Sequence, residues 1–228
     1  MVPILFGMIK PMDDERLPII RIKDAWLLRE NASQHLHELW GKGRKLADDH
    51  WMEQRVVEYQ KAWKPYQTKV LNGMCDTIDL RFRQNIIDVY IAPWFRAFSD
   101  PLVIGVMQEP DIFIDTLTHE LIHRLLTDNT SIPHETKLLG PWQKLFGKNH
   151  SFRTVVHIPV HAIHKAIYLD VLNEPKRLKR DMEGNKKFDA TDYVKAWDYV
   201  EKHGYKEIIK SLRESYKELI KEKLPEYV

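Results

Sequence analysis

Two histidines four residues apart in a helix-forming segment place the tightest constraint on how this chain folds. They are His119 and His123, in the run THELIH at positions 118–123. Residues i and i+4 lie one turn apart on the same face of an α-helix, so both imidazoles can reach a single Zn²⁺ ion. Glu120 lies beside the first histidine and would stay available as a base. The segment therefore predicts a helix that carries part of a zinc site suited to metal-assisted hydrolysis.

The residues around this motif support a helix with one apolar side. At the helical period, the large apolar side chains form a stripe. This stripe contains Ile114, Leu117, Leu121 and Leu125. The two histidines fall roughly opposite to it, and the pattern stops at residues 127–129. We therefore expect a helix over about 111–126, with one side for packing and another for chemistry.

A catalytic zinc site usually has three protein ligands and a water molecule, so a third ligand is needed. The best source is segment 149–172, which as a helix is apolar around most of its circumference. Its one polar stripe contains His157, His161, His164 and Tyr168. Buried polar groups need partners, and a metal ion facing the stripe would supply one.

Pro159 affects the choice among these histidines. Proline suits the first turn of a helix and disfavours a helical conformation at the residue before it. The regular helix is therefore expected to begin near Ile158 and to leave His157 outside. We predict His161 as the third ligand, with His157 and His164 as alternatives. Weaker candidates are His134, His150 and Glu174.

The motif at 119–123 resembles the signature of the zincin metallopeptidases, in which a strand, the signature helix and a later ligand-bearing helix build the site. Its order is most similar to the gluzincin-like arrangement, whose third ligand comes from a second helix well downstream. That family normally supplies Glu there, whereas this chain offers histidines. The longer metzincin motif does not match, because this chain has Leu126 and Asn129 where that motif needs Gly and His. A resemblance to SprT-like proteases would favour His134 or His150 as the third ligand.

Two short apolar segments before the motif are predicted to be strands. Residues 85–91 are rich in β-branched side chains, and residues 102–107 form an apolar run bounded by prolines. In zincins a strand beside the site binds extended peptide by strand addition, and Gly105 would suit a close backbone approach. The expected fold class is α+β and mostly helical: a small β-sheet or hairpin, then the motif helix and a second ligand-bearing helix.

The chain is expected to form one zincin-like domain over residues 1–228. Its predicted parts are a helical N-terminal region at 1–84, a catalytic core at about 85–172 and C-terminal helices at about 188–224. Glycine commonly ends helices, so Gly204 is expected to divide the C-terminal part into two. Both additions would flank the catalytic core.

Within the N-terminal part, Asp24 is expected to cap a helix that runs to Trp40. A longer helix is expected from about Leu46, bent at Pro65 and ending at Gly73. Further along the chain, the polar stretch 174–187 is the best candidate for a mobile loop.

Composition narrows the classes of function. The 228 residues are 43% hydrophobic, which allows a substantial core, and the formal net charge is +2. So small a charge predicts no strong binding to nucleic acid, with the basic cluster Lys176–Arg180 as a local exception. The single cysteine, Cys75, excludes an internal disulfide and suits a reducing compartment. No apolar run approaches the length of a membrane span, so a cytoplasmic protein without membrane contact is expected.

The sequence thus predicts a zinc-dependent hydrolase, and specifically a metallopeptidase that acts on a peptide or protein substrate. The predicted zinc ligands are His119, His123 and His161. Glu120 would take a proton from the zinc-bound water as it attacks the scissile carbonyl. Tyr168 or His164 would donate a hydrogen bond to the oxyanion.

Two alternative functions remain open at the level of the sequence. A non-catalytic metal-bound interaction module would use the same histidines but would complete the ion's coordination with a fourth protein ligand. A protease acting near nucleic acid would use Lys176–Arg180 and the lysine pair at 186–187.

Overall fold

The computed structural model describes residues 17–31, 48–93, 95–129, 135–187 and 191–221, with backbone alone at 135–139 and 220–221. Over these residues the chain is mostly helical with a small four-stranded sheet, which confirms the predicted α+β class. The strands are β1 (Ile19–Asp24), β2 (Ile86–Ala92), β3 (Phe98–Ser99) and β4 (Leu102–Gly105). The helices are α1 (Asp49–Trp63), α2 (Gln67–Ile78), α3 (Pro110–Asp128), α4 (Glu135–Phe146), α5 (Phe152–Ala166), α6 (Pro175–Lys187), α7 (Thr191–His203) and α8 (Tyr205–Lys221). Residues 26–31 are also helical, and α5 continues into a π-helical turn, Ile167–Val171.

The sheet has the strand order β1-β2-β4-β3. β1 and β4 both run parallel to β2, with Ile22 opposite Val89 and Ile91 opposite Ile104. β3 pairs antiparallel with β4 and reverses the chain between β2 and β4. The two strands predicted before the motif are therefore confirmed. They are parallel neighbours and not the two arms of one hairpin.

The N-terminal region contains a strand that the sequence analysis missed. Asp24 is the last residue of β1, so it does not cap a helix as predicted, and the helical residues begin at position 26. The rest of the predicted helix, up to Trp40, lies outside the described residues, as does Leu46. Trp26 is 59% exposed. The strand forms because segment 17–24 is rich in β-branched residues and pairs with β2, which lies far away in the sequence.

The predicted long helix is two helices that break around Pro65. α1 begins where the Asp48 side chain accepts hydrogen bonds from the amides of His50 and Trp51, an N-cap that satisfies groups left unpaired at the helix start. α2 then continues through Gly73 to Ile78, so the predicted end at Gly73 is wrong. This glycine lies inside the helix because the helix contacts the π-helical turn there.

α5 is the central helix of the molecule, and it packs against α2, α3, α4, α7 and α8. It begins at Phe152, where the Ser151 side chain accepts a hydrogen bond from the amide of Thr154 at 3.1 Å. Pro159 lies inside the helix. The predicted start near Ile158 is therefore wrong, and the consequence is that the helix carries His157.

The stretch predicted as a mobile loop is the helix α6. Pro175 occupies its first position, where proline's missing amide hydrogen costs nothing. Leu178 and Met182, four residues apart, pack against the core, and Arg177 is buried. The division of the C-terminal part at Gly204 is confirmed, because this residue lies between α7 and α8 with φ +80°. None of the described helices is long and apolar enough to cross a lipid bilayer.

Two helix glycines provide a test of this packing. A Cβ atom at Gly73 would lie 2.7 and 2.8 Å from the two γ-methyl groups of Val171, whereas one at Gly184 in α6 would meet nothing within 4 Å. Gly73→Ala should lower the free energy of unfolding by about 1–3 kcal/mol, because the short branched side chain of Val171 cannot move away freely.

Gly184→Ala is the matched control. The same change should raise the free energy of unfolding by about 0.5–1 kcal/mol, since alanine favours a helix interior over glycine. Urea unfolding followed by circular dichroism measures both. Equal effects of the two changes would contradict the close approach of α2 to the π-helical turn.

Candidate metal centre

The helix that carries the motif is held at both of its ends. Before α3, the Tyr59 hydroxyl donates to the carbonyl of Val106 at 2.7 Å, and its ring stacks on Phe113 at 4.1 Å. At the other end, the Asn129 side-chain amide donates to the carbonyl of Arg81 at 2.7 Å. These contacts fix where the motif residues lie between the sheet and α5.

Three histidines from α3 and α5 meet in the interior. The Nε2 atoms of His119 and His123 are 3.2 Å apart. The ring of His157 lies 5.4 Å from that of His119 and 5.1 Å from that of His123, measured between centroids. One nitrogen from each of the three lies within 4.8 Å of the other two. Within the described part of the chain, no other group of three or more His, Cys, Asp or Glu residues meets this spacing.

The orientation of His157 follows from its backbone contact. Its Nδ1 lies 2.7 Å from the carbonyl oxygen of Arg153, one turn earlier in α5. A carbonyl can only accept a hydrogen bond, so Nδ1 carries the proton and Nε2 keeps its lone pair. Metal-binding histidines are commonly oriented by such a hydrogen bond from the second ring nitrogen.

All three rings are held neutral at physiological pH. Burial, together with the charges of neighbouring histidines, moves the pKa of His119 and of His123 well below the usual value. Burial lowers the pKa of His157 to about 4, although its hydrogen bond to the Arg153 carbonyl acts in the opposite direction. Neutral imidazoles present lone pairs, which is the state that a metal ion requires.

The spacing of the three nitrogens fits one tetrahedral ion. Zinc binds imidazole nitrogen at about 2.0–2.1 Å, so two such ligands on a tetrahedral ion lie about 3.4 Å apart. The 3.2 Å between His119 and His123 is close to that value, and the third nitrogen needs a small movement inward. His119, His123 and His157 could thus hold a metal ion, with the fourth position available to water.

Tyr193 lies against this group, and Glu120 is close enough to Tyr193 to affect its pKa. Glu120 is 7% exposed and is not one of the three clustered ligands. Tyr193, on α7, has its ring 4.0 Å from that of His157. The pKa of Tyr193 is raised first by burial and then by the negative charge of Glu120. A carboxylate and a protonated phenol therefore border the three-histidine group.

Tyr193 is the site residue that the sequence analysis missed. Its place depends on contacts between the starts of two helices: the Ser151 hydroxyl donates to the Asp192 carboxylate at 2.6 Å, and the Thr154 hydroxyl lies 3.1 Å from the same oxygen. These bonds anchor the start of α7 against the start of α5. The local sequence indicated a helix here, but no pattern in it points towards His157.

His161, predicted as the third ligand, is not a member of the three-histidine group. It is fully buried, 5.8 Å from His119 between ring centroids, and it stacks on Trp197 at 4.2 Å. The geometry assigns the third place to His157, one of the two alternatives. The sequence favoured His161 because of Pro159, whereas α5 starts seven residues before the proline and so includes His157.

His164 and Tyr168, predicted to donate a hydrogen bond to the oxyanion, are buried more deeply than a residue that contacts a substrate. The side chains are 1% exposed, and their rings contact each other at 4.2 Å. Burial, and then the charges of Asp115 and Asp181, raise the pKa of Tyr168 well above its usual value. His164 is 5.8 Å from His119 between ring centroids. Tyr193 is better placed than either to contact a substrate.

The weaker ligand candidates lie away from this group or cannot be placed. The ring of His150 contacts Tyr199, at 5.6 Å. The Glu174 carboxylate accepts a hydrogen bond from Arg177 at 2.5 Å. His134 lies outside the described residues.

Comparisons with protein-family models, with curated proteins and with solved structures found no match for this chain. The zincin resemblance accordingly rests on the motif at 119–123 and on the expectations drawn from it.

Alanine substitution at His157 tests its assignment. Loss of a true ligand should weaken the binding of one zinc ion by more than the roughly 10- to 100-fold expected for a residue that merely orients a ligand. Competition with a chromophoric chelator measures the affinity. His123→Ala should weaken zinc binding to a similar extent. His150→Ala, which lies outside the group, should bind zinc as tightly as wild type. A His157→Ala protein with unchanged affinity would remove this residue from the site.

Proposed function

We propose that this protein is a zinc-dependent hydrolase and, more specifically, a metallopeptidase. One observation carries the proposal: three neutral imidazoles converge to within 4.8 Å while Glu120 borders them without belonging to the group. Three protein ligands leave a coordination position for water, which is the arrangement of catalytic zinc sites. A carboxylate next to that position supplies the base that hydrolysis needs.

The roles of the side chains follow from their positions. Zinc, when bound by the three histidines, would lower the pKa of its water to about 7. Glu120 would accept the proton from that water and pass it to the leaving amine. Tyr193, kept protonated by its raised pKa, would donate a hydrogen bond to the oxyanion that forms from the scissile carbonyl. Tyr193 thus takes the role predicted for Tyr168 or His164.

The sheet offers a place for an extended peptide. β3 is at the edge of the sheet, and it is linked to the motif helix by Arg124, whose side chain pairs with Asp100 at 2.6 Å. An edge strand has backbone groups available for pairing with a peptide strand. Gly105 does not serve this purpose, because a Cβ there would meet the carbonyl oxygen of Phe95 at 2.7 Å. Its missing side chain accommodates the protein's own backbone.

The two alternatives have less support. An interaction module needs a fourth protein ligand, and the close group of described residues contains three. For the nucleic-acid alternative, two of the basic side chains at 176–180 are already paired. Arg177 binds Asp111 and Asp115, and Arg180 binds the same two carboxylates. Their charge is neutralised within the protein.

Glu120→Gln separates catalysis from metal binding. Glutamine keeps the shape of the side chain but cannot accept a proton at neutral pH. Zinc content should persist, while cleavage of a peptide library, followed by mass spectrometry, should fall by roughly 10²-fold or more. Glu109→Gln, an exposed site just before the same helix, is the control and should leave cleavage unchanged. Equal cleavage by Glu120→Gln and wild type would refute the proposed mechanism.

Tyr193→Phe tests the oxyanion donor. Removing the hydroxyl while keeping the ring should lower kcat by about 10²-fold with little change in KM, because the hydrogen bond strengthens in the transition state. Tyr199→Phe, in the same helix but stacked against His203, is the matched control and should retain kcat. A loss confined to KM would instead make Tyr193 a residue for binding substrate.

A further inference from the structure

Two arginines lie near the side of the three-histidine group where His119 and Tyr193 are partly exposed, and neither has a role in the proposed mechanism. Arg153 is in the first turn of α5, and Arg96 is in the connection between β2 and β3. Both side chains are exposed. Among the described residues neither forms an ion pair, whereas Arg124 of α3 does. Their guanidinium groups can therefore bind an anion from outside the described part of the chain.

Arg153 is placed beside the group by the same helix that supplies His157. Residues i and i+4 are neighbours on one face of a helix, so the two side chains lie next to each other. The backbone links the same pair, because the Arg153 carbonyl accepts the hydrogen bond from Nδ1 of His157 at 2.7 Å. The Asp192 carboxylate, at the start of α7, accepts a hydrogen bond from Ser151 at 2.6 Å and forms no ion pair with Arg153.

Arg96 is held near the edge of the sheet by the residues on either side of it. The carbonyl oxygen of Phe95 lies against Gly105 of β4, where a Cβ would be 2.7 Å from it. On the other side, Ala97 packs partly buried against the core. Arg96 thus lies between two anchored residues and just before the edge strand β3. A peptide that pairs with this edge would pass near Arg96.

Both arginines act on the phenol of Tyr193, the proposed oxyanion donor. The pKa of Tyr193 is raised first by burial and then by the charge of Glu120, whereas the positive charges of Arg153 and Arg96 act to lower it. Charges exposed to solvent at physiological salt are largely screened beyond about 8–10 Å. The start of α5 and the edge of the sheet therefore bring two positive charges towards the same hydroxyl group.

This positive charge is local, because the chain as a whole is nearly neutral, with a formal net charge of +2. Lys195, on α7, is a further exposed cation in the same region, and its charge acts on Asp192 together with that of Arg153. The carboxylate of Glu120 is 7% exposed, and a bound zinc ion would more than offset its charge. A substrate therefore meets a positive surface, which attracts anionic groups.

We propose that Arg96 and Arg153 bind a carboxylate of the substrate close to the bond that is cleaved. This inference rests on the proposed hydrolase, since it assigns the substrate class of that same site. Arginine matches a carboxylate through two parallel hydrogen bonds in a fixed geometry. Residues of an extended peptide are about 3.3 Å apart, so the carboxylate is expected within about two residues of the scissile carbonyl. An acidic side chain and a free C-terminus both supply this chemistry.

Peptide binding to full-length Glu120→Gln protein loaded with Zn²⁺ tests the proposal without cleavage. Three fluorescent peptides are compared: one with a central Glu and an amidated C-terminus, one with Gln in its place, and one with this Gln and a free C-terminal carboxylate. Fluorescence polarisation should show about 10-fold tighter binding of a peptide that has a carboxylate than of the amidated Gln peptide, with the difference reduced by salt. The tighter of the two acidic peptides identifies the source of the carboxylate.

Arg96→Gln/Arg153→Gln, added to the Glu120→Gln protein, should abolish this preference. The hydrogen bond to His157 comes from the Arg153 backbone, so the substitution leaves that ring's orientation and the zinc content unchanged. The matched control is Lys64→Gln/Lys69→Gln, which removes two exposed positive charges near the junction of α1 and α2 and should keep the preference. Equal loss in both double variants, a preference that survives without the arginines, or no preference in the first place would overturn the proposal.

Cleavage of a peptide library by wild type distinguishes this proposal from the hydrolase itself. Products should show a carboxylate within about two residues of the cleaved bond, and the preference should disappear in Arg96→Gln/Arg153→Gln. Cleavage that depends on Glu120 but shows no such preference would refute the role of the arginines and leave the hydrolase standing. Arginine-dependent binding of acidic peptides without any cleavage by wild type would refute the hydrolase and retain the carboxylate site.

Discussion

The structure depends on a row of imidazoles buried where α5 meets its neighbours. α5 is apolar and enclosed, so each histidine on it must find a partner that water would otherwise provide. The side chains that face these histidines come from the neighbouring helices: His119 and His123 from α3, Tyr193 and Trp197 from α7, and Asp181 from α6. The positions of three helices around α5 are thus coupled to the chemistry of a single polar stripe.

Polar contacts at the ends of this row hold those helices in place. Arg177 is 5% exposed and donates to Asp111, Asp115 and Glu174, which ties α6 to α3 one turn or more before His119. Removing one partner of such a buried ion pair leaves a charge without compensation, so the network tolerates little change. The bond from Ser151 to Asp192 ties α7 to α5 in a similar way. Both anchors lie close to the residues that would touch a metal ion.

Local patterns predicted the parts of the fold whose partners are close in sequence. The helix with His119 and His123, the strands β2 and β4 and the division at Gly204 all follow from periodicity or from a turn residue. Patterns failed where a distant contact decided the outcome. β1 forms by pairing with β2, and α6 is a helix whose buried Arg177 is paired with acids of α3. The sequence pattern ranked His161 above His157 as the third ligand because it indicated that a helix starts near Pro159. Pro159 instead lies inside α5.

The two ends of the histidine row differ in access, and this difference limits which chemistry each can perform. At the α7 end, His119 and Tyr193 are partly exposed, so a substrate carbonyl can approach the three-histidine group. Further along the row, His161, His164 and Tyr168 are at most 1% exposed, and a peptide cannot reach them without opening the core. The proposed hydrolysis, which needs both water and substrate, would therefore take place at the α7 end beside Glu120.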